Sequence, residues 1–292
     1  MIIFENESLY EITNKLKYEI SLIIENQIFE FKTNNDDFKV WVDLAQILFC
    51  RILIPQKTDD GFILIQFQKL ITKQSFHNHT NDDKIESKYG VDSKFATIKK
   101  LEQPSFLHYY TQALENVKVN QRFRILNLGV NSGDEFEVIK KYASNFKNLE
   151  LVGIDYCKSA IQKAEEKFRN DKNISFYACD INELESLKLE KFDLIITIGT
   201  LQSTSLEFKP TFMSIFQNHL KRDGAFLLGF PNCRWIDNEM IYGAKAPNYV
   251  FSEMSILYND VIFCKKYLQQ KKFRVTITGK DYIFLTAISI KK

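Results

Sequence analysis

The chain has 292 residues, of which 45% are hydrophobic, and its 39 basic residues nearly balance its 37 acidic ones. This composition is typical of a folded globular protein and excludes a disordered chain. The net charge of +2 excludes a strongly basic nucleic-acid-binding protein, while a local basic patch stays compatible with it.

The cysteines and the apolar stretches limit the kind of site and the location. Five scattered cysteines form no CxxC pair, which predicts neither a disulfide framework nor a metal site. The pair His77-x-His79 lacks an obvious third ligand and is interpreted as part of a solvated loop. Since no stretch is both long and uncharged enough to span a bilayer, we expect a cytoplasmic protein without membrane association.

The first 75 residues predict a small N-terminal α+β domain. Residues 19–32 are expected to form two short strands around a turn. A helix is predicted after Asp37, because apolar residues recur at helical spacing from Phe38 onward, and Pro55 is expected to end it. A strand is predicted at 62–67. The polar stretch 76–94 is expected to be a linker.

Residues 95–292 predict a second domain of the α/β class. Short apolar runs alternate with amphipathic helices, as in RILNLGV, LELVGID, ISFYACD, FDLIITIG and AFLLGF. This alternation predicts a Rossmann-like, doubly wound, seven-stranded sheet that is mostly parallel. Only two residues separate RVTITG from YIFLTAISI, so the chain is expected to close with an antiparallel hairpin. The stretch at about 231–250 is interpreted as an insertion on the substrate side.

Glycines and an acid follow the first two strands of this domain. Gly129 and Gly133 enclose the turn after the first strand, where glycine allows a ligand to approach the main chain. Asp155 ends the second strand, where an acid accepts hydrogen bonds from ribose hydroxyls. The combination indicates an adenosine-containing cofactor. The alternative is that the glycines serve ordinary turns and that Asp155 and Asp180 cap helices.

Residues from about 95 to 292 resemble the class I S-adenosylmethionine-dependent methyltransferases. The family's acid-x-G-x-G-x-G loop corresponds to Asn127-Leu-Gly129-Val-Asn131-Ser-Gly133, in which Asn127 replaces the acid and Asn131 the middle glycine. Asn131 is expected to tolerate left-handed backbone. Asn127 is expected to weaken cofactor binding, because a neutral amide does not pair with the methionyl ammonium as a carboxylate does. The resemblance implies that S-adenosylmethionine is bound by Asn127, Gly129, Asn131, Gly133, Asp155, Tyr156, Asp180, Ile181, Ile198 and Gly199.

The resemblance also implies methyl transfer to an acceptor that the sequence does not identify. A small molecule is favoured over RNA because the whole chain is nearly neutral. Asp237 and Glu239 are candidates for a general base by location only. The residues expected to bind the substrate follow the fourth and fifth strands: Thr200, Gln202, Asn232, Arg234 and Trp235. The alternative for the segment after the fifth strand is a loop that only covers the core.

Two other classes of function are compatible with parts of the pattern. A non-catalytic scaffold that binds S-adenosylmethionine would explain the altered glycine loop. A nicotinamide-dependent oxidoreductase would share the glycine turn and Asp155, but the third glycine of the dinucleotide motif is missing. The oligomeric state receives no prediction.

Overall fold

The computed structural model of the chain describes residues 1–72, 89–203, 206–242 and 254–290. The pair His77-x-His79 and most of the expected linker lie outside these residues. The chain divides into two compact units. The first unit comprises Met1–Asn78 and Trp235–Tyr242, and the second comprises His79–Arg234 and Gly243–Lys292.

The first unit packs two helices on a small sheet. Its elements are β1 (Ile2–Phe4), α1 (Leu9–Leu22), β2 (Ile28–Thr33), α2 (Phe38–Ile47), β3 (Cys50–Ile52), β4 (Gln56–Lys57) and β5 (Ile63–Lys69). The sheet has the order β1-β2-β5-β3, and β4 also pairs with β5. The core is built around buried aromatic side chains: Phe31, Trp41 and Phe67.

The first unit differs from the prediction at residues 19–32. The chain is helical to Leu22, and only Ile28–Thr33 is a strand. The cause is a strong helix start, since Ser8 and Glu11 form a capping box ahead of α1. The helix then buries Leu16 and Ile20 on one face.

The second helix ends earlier than predicted. Asp37 caps α2 by accepting a hydrogen bond from the backbone N–H of Lys39, as expected. However, α2 ends at Ile47 and not at Pro55. Phe49 has a φ of 55°, and Cys50–Ile52 pairs with β5. The apolar residues after Ile47 therefore belong to a strand. Over so few residues, the alternation of apolar side chains in a strand cannot be distinguished from helical spacing.

The second unit contains the large predicted sheet. Its strands are β6 (Arg124–Leu128), β7 (Glu150–Asp155), β8 (Ile174–Ala178), β9 (Phe192–Ile198), β10 (Leu220–Pro231), β13 (Phe273–Gly279) and β14 (Tyr282–Ser289). They have the order β13-β14-β10-β9-β6-β7-β8. Strands β6 to β10 run parallel, whereas β14 is antiparallel to both β10 and β13. This confirms the Rossmann-like sheet and its terminal hairpin.

Helices connect these strands. They are α3 (Pro104–Asn116), α4 (Asp134–Tyr142), α5 (Lys158–Lys167), α6 (Phe208–His219) and α7 (Met254–Gln270). The carboxyl ends of β6, β7, β9 and β10 lie at one edge of the sheet because these strands are parallel. In doubly wound folds that edge is where ligands bind. Among the described residues, no helix is long and apolar enough to cross a bilayer.

A two-stranded sheet follows β10. It consists of β11 (Cys233–Ile236) and β12 (Glu239–Tyr242). Ile236 and Ile241 are buried together with Leu70, and Phe49 packs against them. These contacts explain why Trp235–Tyr242 belongs to the first unit, although the sequence pattern places it within the second as an insertion.

Candidate cofactor site

Gly129 begins the loop between β6 and α4. Its φ is 73°, in the left-handed region, and its backbone N–H donates to the carbonyl of Ile154 at 2.7 Å. A Cβ at this position would overlap the side chain of Thr200, whose hydroxyl donates to the carbonyl of Leu128 at 3.1 Å. Both the backbone conformation and the close side chain therefore require glycine at position 129.

The rest of the loop keeps a glycine-like conformation. Asn131 has a φ of 43°, and its side-chain oxygen accepts a hydrogen bond from the backbone N–H of Ser132 at 2.9 Å. Gly133 has a φ of 82° and caps α4, and a Cβ there would lie 2.6 Å from the ring of Phe168. Asn131, at the position of the family's middle glycine, thus adopts left-handed backbone, as asparagine does more readily than most residues.

Asp155 connects the end of β7 to the glycine loop. One carboxylate oxygen accepts from the backbone N–H of Asn131 at 2.8 Å, and the other from the backbone N–H of Cys157 at 2.9 Å. Burial raises the pKa of Asp155, and these two N–H donors oppose the shift. Each oxygen keeps a lone pair for a further donor. Asp155 therefore stabilises the loop and can also accept hydrogen bonds from a ligand at the carboxyl end of β7.

The next strand end carries Asp180. Its carboxylate accepts from the backbone N–H of Asn182 at 2.8 Å and caps the short 3-10 helix Ile181–Leu187. The hydrogen bonding of Asp180 within the protein therefore agrees with the alternative that it is a capping residue. The same carboxylate is only partly buried, so it also faces solvent. Tyr156, which directly follows β7, is 51% exposed.

The end of β9 is held against β10. Gly199 has a φ of 73°, and its N–H donates to the carbonyl of Gly229 at 2.8 Å. Ile198 is buried beside it. A Cβ on Gly199 would lie 3.2 Å from the ring of Pro231. The ends of β9 and β10 therefore approach closely, which brings the segments after them to the same place at the sheet edge.

A buried ion pair lies beside the glycine loop and was not predicted. The Nζ of Lys100 and a carboxylate oxygen of Glu135 are 2.5 Å apart, and the Glu135 side chain is 1% exposed. The other oxygen of Glu135 accepts from the amide of Asn127 at 3.4 Å. Sequence patterns carry no signal for this pair except the acid in the first turn of α4, because its partners are 35 residues apart.

Two of the expected substrate residues share an unusual property. Gln202 and Asn232 are buried, and their side-chain oxygens have no hydrogen-bond partner among the described residues. The orientation of Asn232 is fixed, since its amide nitrogen donates to the carbonyl of Lys280 at 3.0 Å. Buried acceptors are nearly always paired in folded proteins, so these two oxygens are open to a further hydrogen-bond donor.

The remaining expected substrate residues have separate surroundings. Arg234 belongs to the second unit, and burial lowers the pKa of its guanidinium. Trp235 belongs to the first unit and is buried there. Thr200 lies against Gly129, as described above. The assignment of these three residues to the substrate pocket stays a prediction.

The two candidate bases make structural contacts within the first unit. Asp237 and Asn238 both have positive φ values, 49° and 62°, and form the two-residue turn between β11 and β12. Glu239 forms an ion pair with Arg51 at 2.5 Å, and Arg51 also donates to the carbonyl of Asp237 at 2.8 Å. Their assignment as catalytic groups stays a prediction.

The residues present fit S-adenosylmethionine better than a dinucleotide. At Gly129 and Gly133 no Cβ covers the main chain, so a ligand can approach it. Asp155, at the end of the adjacent strand, has lone pairs that can accept hydrogen bonds from ribose hydroxyls. A dinucleotide places its pyrophosphate at the N-terminus of the following helix. The first turn of α4 instead carries Asp134, Glu135 and Glu137, which disfavour a doubly charged pyrophosphate at that helix end. Among the described residues, no cluster of three metal-binding side chains occurs.

This combination of sheet order, terminal hairpin, glycine loop and strand-end acid defines the class I methyltransferase fold. Residues 119–275, just over half of the chain, match a family model described as a methyltransferase domain. The chain therefore belongs to this methyltransferase family. It is an enzyme of the S-adenosylmethionine-dependent class, and S-adenosylmethionine is its cofactor. The oxidoreductase alternative is set aside.

Individual relatives agree with this family. The carboxy-S-adenosyl-L-methionine synthase of Helicobacter pylori strain G27 is 24% identical over 200 residues, covering 63% of this chain and 80% of the relative. The corresponding protein of strain P12 is 25% identical over 150 residues, covering 50% and 58%. Among solved structures, the CurJ carbon methyltransferase superimposes with a TM-score of 0.52 at 14% identity, covering 97% of this chain and 91% of that one. That likeness shows the fold alone.

Proposed function

We propose that this methyltransferase acts on a small molecule that carries a hydrogen-bond donor. The observation that carries the proposal is that the side-chain oxygens of Gln202 and Asn232, which follow β9 and β10, have no hydrogen-bond partner in the part of the chain that the structure describes. Both side chains are more than nine-tenths buried, with exposures of 7% and 3%. Two buried acceptors that follow neighbouring strands suit an amine or hydroxyl of a small molecule, whereas RNA recognition relies on exposed cations and aromatic platforms.

The cofactor is proposed to lie along the ligand edge of the sheet. The Gly129–Gly133 loop and Asn127 hold its methionyl part, with Ile198 and Gly199 beside the sulfur. Asp155 binds the ribose hydroxyls through the lone pairs that its backbone donors leave free. Tyr156, Asp180 and Ile181 surround the adenine. When bound, S-adenosylmethionine supplies an electrophilic methyl group.

The protein's own contribution to the reaction is orientation. Gln202 and Asn232 accept hydrogen bonds from the acceptor and hold its nucleophile toward the end of β9. Fixing the two reactants in this way lowers the barrier by about 7–11 kcal/mol when the geometry is optimal. An oxygen nucleophile also needs a base, while an uncharged amine does not. Since Asp237 and Glu239 make contacts in the first unit, an amine is the preferred acceptor.

Transfer of tritium from labelled S-adenosylmethionine tests this proposal. The protein is incubated with separated metabolite, RNA and protein fractions of its source cell, and each fraction is counted. We expect label in the metabolite fraction, and a loss of that transfer in the Gln202→Leu and Asn232→Leu variants. Label confined to RNA or protein would contradict the proposal, and no label in any fraction would favour the non-catalytic scaffold.

The same incubations distinguish methyl transfer from the reaction that the names of the relatives describe. Mass spectrometry of the recovered cofactor is expected to show S-adenosylhomocysteine as the product. Accumulation of carboxy-S-adenosylmethionine in its place would show that the chain shares the activity for which those relatives are named.

A further inference from the structure

The ion pair between Lys100 and Glu135 is largely buried, so its charges have lost most of their hydration. Its atoms are 2.5 Å apart, and the exposures of the two side chains are 17% and 1%. Removing two charges from water costs several kcal/mol per ion, so such pairs stabilise a fold little compared with apolar residues of the same size. The position of this pair therefore calls for an explanation other than stability.

The pair lies at the start of the cofactor site. Glu135 is in the first turn of α4, directly after the glycine loop, and it accepts a hydrogen bond from Asn127 at 3.4 Å. Lys100 is in a short 3-10 helix ahead of α3, and its Nζ is 5.8 Å from the centroid of the Phe106 ring. Both residues belong to the second unit, as do Asn127 and Asp155.

Lys100 is charged in this setting. Burial lowers the pKa of Lys100, but the charges of Glu135, Asp134 and Asp155 outweigh that effect and raise it above its ordinary value. Burial is the main cause of the raised pKa of Asp155, and the charges of Glu135 and Lys100 contribute to it in opposite directions. Lys100 is therefore one cation among three carboxylates, those of Glu135, Asp134 and Asp155.

The charges match the end of the cofactor that they adjoin. The methionyl end of S-adenosylmethionine carries one ammonium and one carboxylate. Asn127 stands where the family has an acid, so the side chain at that position brings no negative charge. Glu135 restores the charge through its hydrogen bond to Asn127, and Lys100 adds the cation that a carboxylate needs.

We propose that Lys100 and Glu135 are specificity-determining residues that recognise the zwitterionic methionyl end of S-adenosylmethionine. Lys100, whose side chain is partly exposed, binds the carboxylate. Glu135 is a positioning residue, because it orients the Asn127 amide and supplies the negative potential that favours the ammonium. The inference rests on cofactor binding at the proposed site.

A comparison of two ligands distinguishes recognition of the methionyl end from binding of the adenosine part. S-adenosylhomocysteine carries the amino-acid part, whereas 5′-methylthioadenosine retains the adenosine and the sulfur but lacks that part. The affinities of both are measured by isothermal titration calorimetry, together with the melting temperature of each protein. The wild type is expected to bind S-adenosylhomocysteine the more tightly of the two.

Double variants avoid leaving one charge buried alone. The neutral variant Lys100→Met/Glu135→Gln removes both charges, and the swapped variant Asn127→Asp/Glu135→Gln moves the carboxylate to position 127. The control Lys140→Met/Asp171→Asn removes another ion pair of the second unit, whose atoms are 2.6 Å apart. We expect the neutral variant to lose S-adenosylhomocysteine affinity by about tenfold or more, as is usual for charged hydrogen bonds. Its affinity for 5′-methylthioadenosine should change less than about twofold.

The swapped variant should regain most of the lost affinity, and the control should bind both ligands as the wild type does. Parallel loss of both ligands in the neutral variant, or no loss of either, would overturn the inference. So would a swapped variant that binds S-adenosylhomocysteine no better than the neutral one. A wild type that binds neither ligand would instead overturn the cofactor site itself.

Discussion

Asp155 and Gly129 show how single residues shape the edge of the sheet at which we propose that the cofactor binds. The carboxylate of Asp155 holds the backbone N–H of Asn131, and Gly129 turns the chain in a conformation that a side chain rarely adopts. The loop shape therefore depends on a few hydrogen bonds and on the absence of a Cβ, and not on the number of glycines. This is why the substitution of Asn131 for the family's middle glycine leaves the turn intact.

Replacing Gly129 with alanine should destabilise the protein and abolish cofactor binding. The new Cβ would overlap Thr200 and would also force left-handed backbone on alanine. We expect the free energy of unfolding to fall by roughly 3 kcal/mol, from strain and overpacking together. Denaturant unfolding and calorimetric titration with S-adenosylhomocysteine measure the two effects.

Gly61→Ala is the matched control for this substitution. Gly61 has a φ of 85°, but nothing lies within 4 Å of a Cβ built there. It should therefore lose only about 1 kcal/mol, which is the cost of the backbone conformation. Cofactor affinity should stay unchanged. Equal losses in the two variants would show that the contact with Thr200 has no effect.

Some residues of the candidate site can be predicted from the sequence, and others cannot. The pattern singles out Gly129, Gly133 and Asp155 because their positions follow from local turn chemistry and strand ends. It does not reveal Lys100 or Glu135, since their contact joins elements that are adjacent only in the fold. Buried ion pairs of this kind have no periodicity that a sequence displays.

Helices and strands can be predicted from the sequence where the burial of one element allows only one spacing of apolar residues. Strands buried on both faces appear as continuous apolar runs, so β6, β7 and β9 follow directly from the sequence. Short runs with two compatible periods are ambiguous, which explains the wrong prediction for residues 19–32. The capping box at Ser8 was the available signal for a helix there.

Arg51 adds polar contacts to the apolar ones between the β11–β12 hairpin and the rest of the first unit. Arg51 pairs with Glu239 and donates to the carbonyl of Asp237 and to the side chain of Gln68. We expect Arg51→Met and Glu239→Gln to lower the free energy of unfolding by similar amounts, about 1 kcal/mol each, because the pair is partly exposed. Chemical denaturation of each variant provides the measurement.

Turnover in the same two variants tests whether Glu239 is a base. A structural role predicts equal and small effects of Arg51→Met and Glu239→Gln on methyl transfer. A general base predicts a loss of about 100-fold or more in Glu239→Gln alone. That second outcome would contradict the structural role and restore the catalytic assignment.

Helix α7 carries an acid that makes stability depend on pH. Asp260 is 7% exposed, and burial raises its pKa to about 6, with Lys209 opposing the shift. Because the folded state favours the protonated acid, its contribution to stability is complete at low pH and is lost as the pH rises through about 6. Asp260→Asn should therefore gain stability relative to the wild type as the pH rises.

Urea unfolding at pH 5 and pH 7.5 measures this difference. The free energy of unfolding of Asp260→Asn minus that of the wild type should increase by about 1 kcal/mol between the two conditions. The exposed Asp36 provides a control, since Asp36→Asn should follow the wild type at both pH values. A constant difference for Asp260→Asn would refute the effect of burial.

At the scale of the whole molecule, the two compact units have separate sheets and separate cores. The residues of the cofactor site belong to the second unit. A ligand stabilises the part of the protein that binds it, by an amount that grows with its concentration relative to the Kd. Ligand-induced protection should therefore distinguish the two units.

Hydrogen exchange with and without S-adenosylhomocysteine measures that protection. We expect slower exchange at the backbone amides of Asn131 and Cys157, which donate to Asp155. The amides of β2 and β5, paired in the first unit, should exchange at the same rate in both conditions. Protection confined to the first unit would place the ligand elsewhere than at the glycine loop.

The central claim is that the second unit binds S-adenosylmethionine at the Gly129–Gly133 loop and Asp155. Calorimetric titration of the wild type and of Gly129→Ala, with Gly61→Ala as the control, tests it most directly. The account predicts one saturable site in the wild type and in Gly61→Ala, and none in Gly129→Ala. Absence of binding to the wild type at millimolar S-adenosylmethionine or S-adenosylhomocysteine, or undiminished binding to Gly129→Ala, would contradict it.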